Sequence, residues 1–195
     1  MNTIIATNTT IKAIVKQEVA VLGNNADLSH IDVSQCTSLN GVFANMGEFD
    51  GYLGNWDVSN VTSMYEMFLC CKAFTGKGLE NWNVSKVTNM DMMFMICTKF
   101  TGETVKNWNV SNVTDMRNTF TCCSKLMSES LAGWNVSNVT DMANTFAQCD
   151  SLSGKGLENW DVSNVTNVEG MFKDCLNVSI ECVNNWDMNT ADMFN

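Results

Sequence analysis

Large apolar residues return at fixed offsets along most of the chain. All six tryptophans, Trp56, Trp82, Trp108, Trp134, Trp160 and Trp186, stand 26 residues apart. Counting from Trp82, valine lies two and five residues on (Val84, Val87), methionine eight on (Met90), phenylalanine twelve on (Phe94) and cysteine fifteen on (Cys97). The same offsets give the columns Phe68, Phe94, Phe120, Phe146, Phe172 and Cys71, Cys97, Cys123, Cys149, Cys175. Two periods share each unit. Leu79, Trp82 and Val84 read L-x-x-W-x-V, and the Trp and Val, two apart, face the same side of an extended segment. Val87, Met90, Phe94 and Cys97 then step by three, four and three, as one stripe of a helix does. Ser85 or Thr88 is placed to cap that helix, and Gly76, Gly102 and Gly154 mark a turn back. Each unit therefore predicts a short strand, a short helix and a turn.

Five full copies run from Trp56 to residue 185. A degenerate copy, 31–55, carries Ile31 in the Trp place and is one residue short; a truncated copy runs from Trp186 to Asn195. One unit buries too little apolar surface to offset the entropy of fixing its own backbone. The copies must therefore share their cores as a solenoid, an α/β repeat of one short parallel strand and one short helix per turn. Residues 1–30 stand outside the pattern. Thr10, then Ile11, Ile14, Val15, Val19 and Leu22, then Gly23 read as an N-cap, an amphipathic stripe and a C-terminal glycine. This helix is expected to cap the first turn, giving an N-terminal cap over 1–30 and a repeat domain over 31–195. No comparable lid follows Phe194, so the last turn is exposed, pairs with another chain, or is trimmed.

Composition narrows the function. The chain has 195 residues, 11 Lys+Arg, 21 Asp+Glu and a single His, for a formal net charge of -10. That balance disfavours nucleic acid and anionic membrane surfaces, which call for clustered Lys and Arg. No apolar run approaches the roughly 20 residues of a transmembrane segment. No nucleophile–His–acid set can be argued, because every version must use His30, which reads as a first-turn residue beside Asp32. No cofactor and no metal are expected, and a non-catalytic role is. Met1–Thr10 shows neither a basic n-region nor a long apolar stretch, which places the chain as it stands in the cytoplasm. The cell surface is the alternative if a leader was removed.

The pattern W-x-V-S-x-V-T-x-M-x-x-M-F-x-x-C resembles the 26-residue repeats of the BspA-like leucine-rich repeat family, over roughly residues 28–195. Those repeats are common in bacterial surface proteins and lipoproteins. The resemblance implies a right-handed leucine-rich-repeat-like solenoid with a parallel strand ladder on one side. It also implies a binding or surface role, and offers no catalytic residues to carry over.

The columns divide into core and candidate surface. In L-x-x-W-x-V the tryptophan takes an inward position, so a sugar-stacking platform is the lesser reading. The cysteine column, one thiol per turn, lacks the two-to-four-residue ligand spacing of zinc sites and reads as buried free thiols in a reducing compartment. Cys70 and Cys122 should face outward or sideways, Cys36 takes a valine position, and Cys182 lies near the last turn. Asn55, Asn81, Asn107, Asn159 and Asn185 should form an amide ladder or satisfy backbone groups. The N-x-[ST] sequons, among them Asn60, Asn112, Asn138 and Asn164, read as unmodified by-products of NVSNVT. Asp57, Asn83, Asn109, Asn135 and Asp161 form one exposed column and a candidate partner-binding face, with calcium the lesser reading. Leu69, Met92, Met95 and Ile96 put apolar groups where neighbouring copies have Thr121, Ala147, Gln148 or Lys173, a second candidate contact. The favoured reading is a protein-binding module with an unidentified protein partner. Others are an exported surface adhesin, self-association through the last turn, and, on the column Thr62, Thr88, Thr114, Thr140 and Thr166, ice binding.

Overall fold

Ahead of the repeats, β1 (Ile4–Ile5) lies parallel to β2 (Ile31–Asp32), with Ile4 opposite Ile31. Between them runs α1 (Ile11–Leu22), which buries Ile11 and Val15. Gly23 ends it at φ 90° and ψ 171°, a conformation nearly reserved for glycine, where its N–H donates to the Val19 carbonyl. Thr10 precedes the helix as expected, but its hydroxyl accepts from the Thr7 N–H at 2.9 Å and caps no helix amide. His30 Nε2 meets Glu18 Oε2 of α1 at 2.9 Å, tying the helix to the segment that leads into the first copy. These features come from a computed structural model that describes residues 2–188 and 190–195.

The expected strand-plus-helix, leucine-rich-repeat-like solenoid is not what the repeats form. Among the described residues, no copy holds an α-helix, and the strands are β1 and β2, with single bridges elsewhere. Each copy is instead a run of tight turns closed by i+3 N–H to i C=O bonds. In the second full copy these join Val87 to Val84 (2.9 Å), Met93 to Met90 (3.0 Å), Cys97 to Phe94 (2.9 Å) and Phe100 to Cys97 (3.1 Å). A 3-10 turn, Leu79–Asn81, precedes Trp82, which is extended. Two turns per copy carry a positive φ at their third residue: Met92 (56°) and Ile96 (65°) here, Asn118 (52°) and Cys122 (61°) in the next copy. That conformation, required by type II turns, cannot continue a helix. A β-turn and a helical stripe share the three-residue spacing, so the periodicity was real and the helix was not. Ser85 and Thr88 accordingly cap nothing helical. The Ser85 N–H is held by Asn83 Oδ1, and the Thr88 hydroxyl donates to the Thr62 carbonyl.

Successive copies are joined by their backbones. Met90, Met92, Phe94 and Ile96 donate N–H to the carbonyls of Asp115, Arg117, Thr119 and Thr121 at 2.8–3.0 Å, every second residue, as along a parallel ladder. Single parallel bridges run through Ser38, Ser63, Asn89, Asp115, Asp141 and Asn167. At the preceding bend the direction reverses, and Thr114 N–H donates back to the Thr88 carbonyl at 2.9 Å.

Side chains stack in the same register. Trp56–Trp82 and Trp82–Trp108 ring centroids are each 6.2 Å apart and near parallel. Phe94–Phe120 and Phe120–Phe146 are each 5.7 Å apart. All six Trp are buried, Trp82 at 5% exposure. Each indole from Trp56 to Trp160 satisfies its N–H on a carbonyl of the preceding stretch, as Trp108 Nε1 does on Leu79 at 2.8 Å. The cysteine column repeats the device: Cys123 Sγ donates to the Phe94 carbonyl at 3.0 Å, and Cys149 to Phe120 at 3.0 Å. A small residue with a weak donor suits that site. All nine cysteines are free.

The last turn pairs with the copy before it. Gly170 N–H donates to the Asp192 carbonyl at 2.8 Å, Phe172 N–H to Met193 at 2.7 Å, and the Phe194 ring lies tilted against Phe172 at 5.6 Å.

Candidate functional site

Taken around one coil, the outer surface has three strips. The first follows the Trp. Asp57, Asn83, Asn109, Asn135 and Asp161 are exposed here, but Oδ1 of each already accepts the N–H of the serine two residues on, at 3.0–3.2 Å. This is an Asx turn, which builds the bend. The serine bonds hold the carboxyls of Asp57 and Asp161 below the usual carboxylate range. The expected asparagine ladder is also found one strip over from where it was placed. Asn55, Asn81, Asn107, Asn159 and Asn185 are exposed, with no side-chain hydrogen bond among the described residues. Asn112, Asn138 and Asn164 instead donate Nδ2 to the carbonyls of Ser85, Ser111 and Ser137, each at 2.7 Å. The exposed Thr column sits beside them, each hydroxyl from Thr62 to Thr166 donating to the preceding threonine's carbonyl.

The second strip lies along the ladder and holds the other predicted residues. Leu69 and Met95 occupy the same place in adjacent copies, followed by Cys70 and Ile96, and the Cys70 N–H donates to the Met95 carbonyl at 2.8 Å. Met92 lies one turn earlier, next to the rung of Arg117. All five are half-buried. In later copies the same places hold Thr121, Ala147 and Lys173, then Cys122, Gln148 and Asp174. The apolar character is thus confined to two copies.

Beside this patch the structure assembles a charge cluster that reading along the chain missed. Arg117 grips Asp115 with both ends of its guanidinium, Nε to Oδ1 at 3.0 Å and an NH2 nitrogen to Oδ2 at 2.7 Å. It reaches Asp91 at 3.3 Å and Asp141 at 3.9 Å. Asp91 is 6% exposed, and burial pushes its carboxyl up while Asn118 and Arg117 oppose that shift. Tyr65 OH donates to Glu66 Oε1 at 2.6 Å on the same strip. The signal was available in the offsets, because Asp91 and Arg117 stand nine residues after their tryptophans and Asp115 and Asp141 seven after theirs.

The third strip is the return side. Lys72, Lys99 and Lys125 are exposed there with no ion pair among the described residues, whereas Lys77 pairs with Asp50 at 2.6 Å.

Reactive chemistry is scarce in this arrangement. Burial pushes the Cys71 thiol up to about 12 and Cys175 up to about 11, and drives Cys97, Cys123 and Cys149 up as well, so the column is held as thiol. No group of three or more His, Cys, Asp or Glu suited to a metal ion occurs among the described residues. A hollow of about 640 Å³ at the last turn is lined by Val165, Thr166, Asn167, Glu169, Lys173 and Met188, among others. No helix among the described residues is long and apolar enough to cross a membrane.

Copies linked rung to rung, with variation kept to their outer strips, define a tandem-repeat protein. The chain belongs to the family described as Mycoplasma protein of unknown function, DUF285, whose model matches residues 9–123 and 97–195. No curated protein and no solved structure matches it.

Proposed function

We propose that the protein is a non-catalytic protein-binding module, and that its contact surface is the ladder strip of the first two full copies. The observation that carries this reading is the confinement of Leu69, Met92, Met95 and Ile96 to positions that are polar or small elsewhere in the stack. A partly exposed apolar group kept in two copies and absent from their equivalents has no packing role common to the repeat. The Asp57–Asp161 column takes the lesser part, since one oxygen of each side chain is committed to the turn it makes. The test is a photo-crosslinking residue placed at 95, at 83 or at 155 in the source cells. Protein adducts should form from 95 and not from 83 or 155. Equal labelling from all three sites, or none from 95, would overturn the assignment.

The similarity of W-x-V-S-x-V-T to BspA-like repeats supports a second reading, an exported adhesin or lipoprotein. Nine free thiols favour a reducing interior instead. Labelling of Cys70 on intact cells by a membrane-impermeant thiol reagent separates the two.

A further inference from the structure

Two places in every copy are held in the left-handed region. The first is occupied by Gly41, Glu66, Met92, Asn118, Asn144 and Gly170, the second by Asn45, Cys70, Ile96, Cys122, Gln148 and Asp174. Glycine and asparagine suit that conformation, while a β-branched residue is the least suited. Ile96 at φ 65° is the one β-branched residue among them, and Met92 at φ 56° shares its copy. The turns need nothing apolar here, since other copies make them with Gly and Asn. A strained backbone and a partly exposed apolar side chain therefore coincide, beside Leu69, Cys70 and Met95. Such coincidences mark contact surfaces.

Charge decides what covers the patch. Around each coil, Glu66, in the Met92 place of its own copy, and the Arg117 cluster, whose three carboxylates (Asp91, Asp115, Asp141) outnumber its one guanidinium, come at or before the patch. Lys72, Lys99 and Lys125, with no ion pair among the described residues, come after it. A two-fold axis parallel to the stack reverses that order on a facing copy and sets lysines against acids. An axis across the stack would set acid against acid. An isologous contact needs a self-complementary surface of this kind. Resting on the protein-binding reading above, we infer that the ladder patch joins two copies of this chain face to face, with their stacks parallel and Ile96 near the dyad.

The experiment is sedimentation of the full chain from low to high micromolar concentration, with variants. Dimers are expected, weakened about tenfold or more by Met95→Glu. Lys72→Glu and Glu66→Lys should each weaken self-association, and mixing the two chains should restore it. Ile96→Asn should weaken the dimer while raising the urea midpoint, because asparagine relieves the left-handed strain; a lowered midpoint would refute the strain argument. A chain monomeric throughout would overturn the inference, and crosslinking from position 95 to a different protein would then leave the function reading standing. A dimer indifferent to Met95→Glu would place the contact elsewhere, as at the last turn, and would also overturn the inference.

Discussion

Phe120→Ala tests the shared core most directly. Phe120 is fully buried, with Phe94 and Phe146 at 5.7 Å on either side and the Trp134 ring at 5.9 Å. Removing the ring deletes its transfer energy and leaves a cavity that two flanking phenylalanines, held by backbone ladders, cannot close. Phe→Ala losses at such sites run about 3–5 kcal/mol. The location adds a second effect. Because each copy contacts only its neighbours, stability is a sum of copy terms and nearest-neighbour interface terms. A break at Phe120 weakens both interfaces of a central copy, so the halves on either side should begin to unfold separately. Urea titration followed by tryptophan fluorescence should show both the loss and a shallower transition, since less surface is exposed per cooperative step. A loss below about 1 kcal/mol with an unchanged slope, the size of an ordinary surface substitution, would refute the claim that the rings form one continuous stack.

Other outcomes follow from the same geometry. Maleimide at neutral pH should label Cys70 and Cys122 in the native protein well before Cys97, Cys123 or Cys149, whose burial keeps them as thiols; mass spectrometry reads the order, and equal rates would contradict the buried column. The carboxyls of Asp27, Asp32, Asp57 and Asp161 are held low by the serines they cap, so their contribution is present above the ordinary carboxylate range and is lost as pH falls through the folded value. Thermal melts should therefore drop below about pH 4, and Asp57→Asn with Asp161→Asn should blunt the drop while keeping the Asx turns. Gly78→Ala should cost more than Gly23→Ala. Both need a positive φ, but a Cβ at Gly78 would collide with the Gly54 backbone, whereas at Gly23 it meets nothing within 4 Å and adds only the backbone penalty of a conformation nearly reserved for glycine, about 1–3 kcal/mol. Equal denaturant midpoints for the two variants would argue against that close approach.

The columns of Trp, Phe and Cys were legible because they rest on counting, and a spacing of 26 admits little else. The helix Ile11–Leu22 was legible for the same reason, with its glycine stop in place. The internal structure of the repeat was not. Val87, Met90, Phe94 and Cys97 occupy the inner corners of successive turns, and turns repeat three-residue steps as a helix does. What separates the two is the hand of single residues, and that signal runs down the columns, not along the chain. Gly41, Asn118, Asn144 and Gly170 share one place, and Asn45 and Asp174 another. The candidate partner-binding residues divided likewise. The Leu69–Ile96 group stood out as a departure from its column, while the Asx turns of Asp57 and its equivalents did not, because such a turn leaves the side chain outside and commits one of its oxygens to the serine two residues on. The Arg117 cluster joins residues from three copies and was hidden from any reading of one copy.

The first copy shows where the chain tolerates a change of length. It is one residue short, and the gap falls where Gly51-Tyr52-Leu53 replaces Gly76-Lys77-Gly78-Leu79 on the return side; its rungs from Leu39 to Asn45 still meet Ser63 to Leu69. Unequal crossing-over that duplicates or removes a whole copy would leave every donor opposite an acceptor one coil away. Gene length can then drift in whole units without unfolding the product, while single-codon slips survive only at that one corner. Deleting residues 108–133 should yield a folded protein, and deleting one residue more, from the rung between Met142 and Gln148, should not.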